Sequence, residues 1–271
     1  MNILTAEEMR EVDRLTMERG IPGIVLMENA GHRVVEVLAE RFAPLSEQRI
    51  VIVCGKGNNG GDGLVIARQL FTRFGLQGGK GSLHVLLAFE PAEFQGDALA
   101  NYRMLVACGC SVVRELPREA HAATLVIDAL LGTGLRGPAT GRALDLIRLM
   151  NTGFPGARIV SVDIPSGLVD GGESVRAELT VTFTAPKREQ MLPPTCDRVG
   201  ELIVAAIGSP EELIQGWLHV NEPRLWTRLL APRAFGSHKG TFGHVLVVGG
   251  ASGKAGAAIM AGAVYIVIET A

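Results

Sequence analysis

The residues best suited to chemistry lie in three short turns. In Val51-Ile52-Val53-Cys54-Gly55-Lys56-Gly57-Asn58-Asn59-Gly60-Gly61-Asp62-Gly63 an apolar run ends in a glycine-dense turn with two amides and an acid. Glycines let backbone approach a ligand and take φ > 0. Asn58, Asn59 and Asp62 add polar groups that a purely structural turn does not need. Gly55, Gly57 and Gly60 also satisfy GxGxxG, which alone is a weak sign of a dinucleotide site. Asp62 argues against the ordinary form of that site. It sits at the expected start of the next helix, where a pyrophosphate docks, and a carboxylate there repels phosphate. Asp62 is therefore expected to bond sugar hydroxyls or helix N–H groups. The plainer reading is a tight turn with a helix cap.

The second turn is Asp128-Ala129-Leu130-Leu131-Gly132-Thr133-Gly134-Leu135-Arg136-Gly137-Pro138. Asp128 closes an apolar strand, where an unpaired carboxylate is costly. A cation, or a ring of hydrogen-bond donors, makes it tolerable, and an ordinary turn cap is the bland alternative. The glycines offer backbone N–H groups in a concave array, and Arg136 can hold a phosphate. The third turn, Val162-Asp163-Ile164-Pro165-Ser166-Gly167, again places an acid and a hydroxyl just after a strand. An Asx or Ser turn fixed by Pro165 explains it taken alone. Chance capping explains each turn better than it explains the set, because all three fall at one edge of one sheet. Lys187 follows a later strand and either approaches that edge or stays solvated.

The elements that must carry these turns follow a regular order. Thr5 and Glu8 form a capping box for a first helix with Met9, Val12 and Thr16 on one face, stopped at Gly20. Pro22 opens a second helix through Leu26, Ala30, Val34 and Leu38 toward Phe42. Strands are expected at 49–54, 83–89, 124–129, 158–163, 178–183 and 201–206. Helices are expected at 64–74, 97–108, 143–150 and, briefly, 210–215. Such alternation makes right-handed βαβ units in a mostly parallel sheet with helices on both faces. The carboxyl edge of that sheet is where open α/β folds bind ligands. Residues 77–82 read as a flexible surface loop.

Composition narrows the class of partner. The chain has 271 residues, of which 47% are hydrophobic, so a large core is expected. With 26 basic against 28 acidic residues, nothing favours nucleic acid or an anionic membrane. Cys54, Cys108, Cys110 and Cys196 have neither paired spacing nor a His cluster, so no zinc site or disulfide framework is expected, and Cys54 reads as a small buried hydrophobe. The N-terminus is no secretory signal, and no apolar run reaches the ~18 residues that span a bilayer. A cytoplasmic protein is expected. His32 reads as a surface or interhelical residue, and Glu28-Asn29 as a pair beneath the site at most.

With Leu26-Met27-Glu28-Asn29-Ala30-Gly31 before them, the motifs NNGGDG, DALLGTGLRG and VDIPSG occur in the order of the NAD(P)H-hydrate epimerase family, the YjeF N-terminal type. Residues 5–215 resemble that family. The fold implied is a Rossmann-like three-layer α/β sandwich. The activity implied is repair. NADH and NADPH can add water at C6 of the nicotinamide ring, and the family interconverts the R and S epimers of NADHX and NADPHX, so that an ADP-dependent dehydratase acting on one can clear both.

The resemblance also implies site residues. Substrate contacts fall on Asn58, Asn59, Gly60, Gly61 and Asp62, on Gly132, Thr133, Gly134, Leu135, Arg136, Gly137 and Pro138, and on Asp163. A potassium ion is held at Asn59, Asp128 and Ser166. Asp163 is expected to be the general acid or base, with Asp128 mainly holding the ion. No lysine stands between Val85 and Glu90, so a lysine partner would have to be Lys187.

Residues 1–216 make up the expected epimerase domain and 217–242 a linker. Residues 243–271 resemble the start of a ribokinase-like dehydratase domain, with a strand and turn over 243–250 and a helix over 255–268. The nucleotide loops of that domain are expected further on, so no dehydratase activity is expected of this chain, and the dehydratase is a functional partner. A homodimer is possible. Two other readings are kept. An NAD-dependent oxidoreductase would use Gly55, Gly57 and Gly60 with Glu90 on the ribose, and a binding module would keep the fold without catalysis.

Overall fold

The computed structural model describes residues 1–76, 80–222, 227, 232, 234–241 and 246–261. The chain divides into two units, Met1–Val220 and Asn221–Ala271. In chain order the first contains β1 (Asn2–Ile3), α1 (Ala6–Glu18), α2 (Gly23–Arg41), β2 (Arg49–Cys54), α3 (Asn58–Phe74), β3 (Ser82–Leu87), α4 (Gly96–Ala107) and β4 (Val112–Val113). It continues with β5 (Leu125–Ala129), α5 (Gly141–Thr152), β6 (Arg158–Val162), β7 (Leu179–Phe183), α6 (Arg188–Met191), β8 (Glu201–Ala205) and β9 (Leu218–His219).

Seven strands form one sheet in the order β4-β3-β2-β5-β6-β7-β8, and every neighbouring pair is parallel. The alternation of side chains along β2 shows why helices cover both faces. Ile50, Ile52 and Cys54 pack among residues of α2, α3 and α4, while Val51 and Val53 pack toward α5. The fold is a Rossmann-like α/β sandwich, as its strand order and layers require.

From β2 the chain runs outward through β3 to β4, then returns to β5 on the other side of β2 and continues to β8. The strand order therefore reverses between β2 and β5. Diverging connections leave a crevice there, outside the carboxyl ends of the strands. The turns after β2 and β5 flank that crevice, and the turn after β6 is the next along.

The largest departure from expectation is α3, which begins at Asn58 rather than near residue 64. Four glycines within 57–63 argue against helix by propensity. Tertiary packing overrides this, because the first turns lie against the loop that precedes them. A Cβ on Gly60 would stand 1.8 Å from the Gly55 carbonyl oxygen, and one on Gly63 would stand 2.6 Å from Ala129 Cβ. Gly60→Ala is expected to cost about 3 kcal/mol, since rigid backbone cannot yield. Gly57 has open space where a Cβ would go, so Gly57→Ala should stay within about 0.5 kcal/mol of wild type. Urea midpoints of the two variants check the contrast.

The N-terminal segment is tied in by a device the sequence did not announce. Leu4 bridges in parallel to Lys187, donating from its N–H to the Pro186 carbonyl at 2.9 Å and accepting from Arg188 N–H at 2.9 Å. β1 pairs antiparallel with β9. Thr5 and Glu8 make the expected capping box, and Met9 and Val12 pack with Leu4 and Ala185. The expected helix over 210–215 is a single 3-10 turn, Glu211–Leu213. No described helix is long and apolar enough to cross a membrane.

In the second unit, residues 246–250 have no regular secondary structure and 256–261 are helical. The rest of the expected strand (243–245) and helix (262–268) lies outside the described residues. So do residues 77–79 of the expected loop.

Candidate active site

The crevice at the β2/β5 switch opens into a cavity of about 670 Å³. Lys56, Gly57, Asn58, Asn59 and Asp62 line it from the first turn, Leu130 to Arg136 from the second, and Asp163 from the third. Gly60 and Gly61 lie behind the wall. A Cβ on Gly61 would meet Met27 Sδ at 2.5 Å, so this glycine lets α2 and α3 approach. Gly137 takes φ +77° in the turn, and neither it nor Pro138 reaches the lining.

Asp128 is fully buried, and the ring of donors anticipated for it is present. Ser161 Oγ and Ser166 N donate to Oδ2 at 2.8 Å each, while Ser166 Oγ (2.5 Å) and Leu130 N (3.3 Å) donate to Oδ1. Burial still pushes the carboxyl above its ordinary range against the pull of those donors. Ser166 Oγ also accepts from Leu131 N at 2.8 Å. Asn59 Nδ2 donates to the Leu131 carbonyl at 3.0 Å, and Ser166 Oγ lies 3.2 Å from that same oxygen. Asn59 and Ser166 thus meet at one carbonyl, and Asp128 joins them through Ser166. Asn59 Oδ1 is buried with no donor facing it.

Asp163 follows β6 in the left-handed region at φ +63°, a conformation that costs a non-glycine residue about 1–2 kcal/mol. Its backbone is pinned there. Asp163 N–H donates to the Val181 carbonyl at 2.8 Å, and Gln190 Nε2 donates to the Asp163 carbonyl at 2.6 Å. The turn aims the carboxylate at Lys187, whose Nζ pairs with Asp163 Oδ1. Thr182 Oγ1 (3.2 Å) and Phe183 N (3.3 Å) donate to the same oxygen. Lys187 is only 1% exposed, and its ammonium also donates to Thr182 Oγ1 at 2.8 Å and the Phe183 carbonyl at 3.0 Å. Of the two readings open for Lys187, the solvated one is excluded.

Asp62 corrects another expectation. It is the fifth residue of α3, the helix is capped at Gly57, and no side chain caps it. Its buried carboxyl is pushed well above the ordinary range by desolvation, then by the negative charges of Asp163 and Asp13, with Lys187 opposing. Asp13, on α1, also lines the cavity and was not among the sequence candidates. Desolvation raises it from 3.8 to about 6, with Lys187 lowering and Asp163 raising it. No motif marks a lone acid on a helix face. The available signal was helical register, since Asp13 lies four residues from Met9 and from Met17, and all three line the cavity. Apolar wall comes from Leu26, Met27, Phe89, Phe183 and Ile207.

The secondary candidates lie elsewhere. Glu28 pairs with Arg68 and Gln69, Asn29 Nδ2 donates to the Ile207 carbonyl, and His32 is interhelical against Gln69. Glu90 pairs with Arg114 and is absent from the cavity wall, which removes the ribose acid of the oxidoreductase reading. All four cysteines are free and Cys54 is buried. No group of three His, Cys, Asp or Glu side chains among the described residues could hold a metal ion.

The family profile described as "YjeF-related protein N-terminus" matches residues 23–189, which span the turns after β2, β5 and β6 and reach Lys187. The chain belongs to this family. Among members of the YjeF-related family, the bifunctional NAD(P)H-hydrate repair enzyme Nnr of Moorella thermoacetica is 40% identical over 96% of this chain and 51% of its own length. The NAD(P)H-hydrate epimerase of Rhodopirellula baltica is 38% identical over 78% of this chain and 86% of its own. The chain spans about half the length of the bifunctional relatives it matches. The crystal structure of yeast ynu0 superposes with a TM-score of 0.62 at 19% identity, covering 82% of this chain and 97% of that one, and shares the fold.

Proposed function

We propose that this chain is an NAD(P)H-hydrate epimerase, interconverting the R and S forms of the C6 hydrates of NADH and NADPH. The observation that carries the reading is the cavity at the β2/β5 switch. There a buried lysine–aspartate pair faces the same space as a glycine-rich backbone array and three further carboxyls. The names of the relatives support it. An oxidoreductase reading loses its ribose acid, as described above.

Epimerisation requires the C6–O bond to break and re-form on the other face of the ring. The ring nitrogen supplies the electron pair, so the chain must move protons at oxygen and hold the ring still. Asp163 Oδ1 is occupied by Lys187, Thr182 and the Phe183 N–H, whereas its Oδ2 has no hydrogen-bond partner among the described residues. That free oxygen is the proton-handling group at C6. The N–H groups of Gly132 to Arg136, with Arg136 and Lys56 on the wall, suit the pyrophosphate. The apolar wall near Met27 and Phe183 excludes water from the ring.

Potassium fits the residues present. Asn59 Oδ1 is a buried acceptor with no donor, the amide of the same side chain binds the Leu131 carbonyl, and Ser166 Oγ links that carbonyl to Asp128. An all-oxygen set of this kind suits a hard cation. When bound, the ion would supply positive charge toward the substrate's anionic part. Asn59, Asp128 and Ser166 would hold it, and the same residues fix the second turn.

The test uses freshly hydrated NADPH enriched in the R form, followed by chromatography. Interconversion in potassium buffer is expected, slowing by about tenfold when lithium replaces potassium, the loss of one charge contact worth about 1.4 kcal/mol. Absence of interconversion in potassium refutes the epimerase assignment. Equal rates in both salts refute the ion assignment alone.

A further inference from the structure

We propose, on the epimerase reading above, that Asp13 is the proton donor to the hydroxyl leaving C6, with Asp163 as the acceptor when water returns. Four observations place it there. Asp13 lies on the wall of the cavity that holds Asp163 and Lys187. It stands between Met9 and Met17 on one face of α1, and it is the acid that this helix brings to the wall, beside Arg10. Unlike Asp128 and Asp163, it has no hydrogen bond or ion pair with the described residues, so its carboxyl is free to meet a ligand. The Leu4–Lys187 bridge and the packing of Met9 against Ala185 fix α1 to the segment that carries Lys187.

An acid half-buried without a partner weakens the fold, so packing does not account for it. The ionisable groups facing the same cavity are Arg10 on its own helix, Lys56, Asp62, Asp97, Arg136, Asp163 and Lys187. Lys187 is already paired with Asp163, so ionising Asp13 adds a net negative charge to a desolvated space. Burial accordingly raises the Asp13 carboxyl to about 6, near the range where a general acid exchanges protons readily. Asp62 is more deeply buried and held well above its ordinary range, which suits it to binding as a neutral acid rather than to turning over protons.

The step balances without a redox partner. The C6–O bond breaks with its electrons going to oxygen, which takes the Asp13 proton and leaves as water. The ring-nitrogen lone pair becomes the second bond of a C6–N1 iminium. Water then adds to C6, the π electrons return to nitrogen, and the excess proton passes to Asp163. Proton return from Asp163 to Asp13 through water resets the site.

The sign of the stability effect follows from the raised carboxyl. Folded Asp13 holds its proton above the unfolded value of 3.8, so folding takes up a proton between there and about 6. Asp13 therefore contributes most at low pH, and that contribution falls as pH rises through the window. The experiment compares wild type, D13N and D13E. D13N should lose about 10²-fold in kcat with KM unchanged, and lose the kcat/KM inflection near pH 6. Its Tm should exceed wild type at about pH 8 and match it at about pH 4. D13E should recover part of the rate. A D13N enzyme with wild-type kcat and an unchanged inflection overturns the proposal, as does a loss confined to KM or a lower Tm at the higher pH. Should D13N fail to fold, carboxyl-carbon NMR of the wild-type chain decides, and a midpoint at the ordinary 3.8 overturns the proposal. A wild-type chain that does not epimerise the hydrate overturns this proposal together with the epimerase reading, whereas an active wild type with an unaffected D13N overturns this one alone.

Discussion

Asp163→Asn is expected to lower the epimerisation rate by about 10²–10⁴-fold while the chain stays folded. The amide keeps the size of the side chain and one carbonyl oxygen. That oxygen still accepts from Lys187 Nζ, Thr182 Oγ1 and the Phe183 N–H, which all address Oδ1 in the native protein. The left-handed turn at φ +63° is also preserved, because asparagine is among the residues that tolerate it best. What disappears is the carboxylate that accepts a proton at Oδ2. Lys187, 1% exposed, loses its counter-charge, so some stability goes with it. Single-turnover rates on the hydrated dinucleotide, measured beside far-UV circular dichroism, separate the two effects. A folded Asp163→Asn protein turning over at the wild-type rate would remove Asp163 from the chemistry.

Asp128→Ala is expected to cost about 4 kcal/mol or more of folding stability, a large share of what a domain of this kind possesses. Four donors converge on this carboxylate at zero exposure, from Leu130 N, Ser166 N, Ser166 Oγ and Ser161 Oγ. The Ser166 hydroxyl can turn to the Leu131 carbonyl, 3.2 Å away, but the two backbone N–H groups have nowhere to go. Each stranded donor costs about 1–3 kcal/mol, and the lost volume adds a small cavity. The damage reaches function, because these bonds tie the end of β5 to the turn after β6 and so hold the cavity together. Chemical denaturation measures it. A loss under about 1 kcal/mol would mean that the donor ring does not organise the two turns.

The three turns were legible because each joins an apolar strand to an acid and a small residue. That combination can be read locally, and parallel topology sends all such turns to one edge. The β strands at 49–54 and 201–205 were placed to within a residue, since both are short apolar runs with sharp polar or glycine boundaries, one central and buried, the other at the sheet edge. The start of α3 was not legible. Glycine propensity is a local quantity, whereas the helix at Asn58 is stabilised by contact with Gly55, Met27 and Ala129 from three other segments. β1, β4 and β9 have two residues each and carry no period at all.

The residue pattern by itself determined a parallel α/β sheet, the edge of it at which the three turns gather, and the acids at the ends of β5 and β6. These depend on periodicity and on residue types adjacent in the chain. Tertiary structure alone decided that Lys187 is buried against Asp163, that Asp62 lies inside a helix rather than capping it, and that α1 brings Asp13 to the same cavity. The physical reason is that charge pairing and desolvation depend on distance through space, and the partners here are separated by 24 residues for Lys187 and Asp163 and by far more for Asp13.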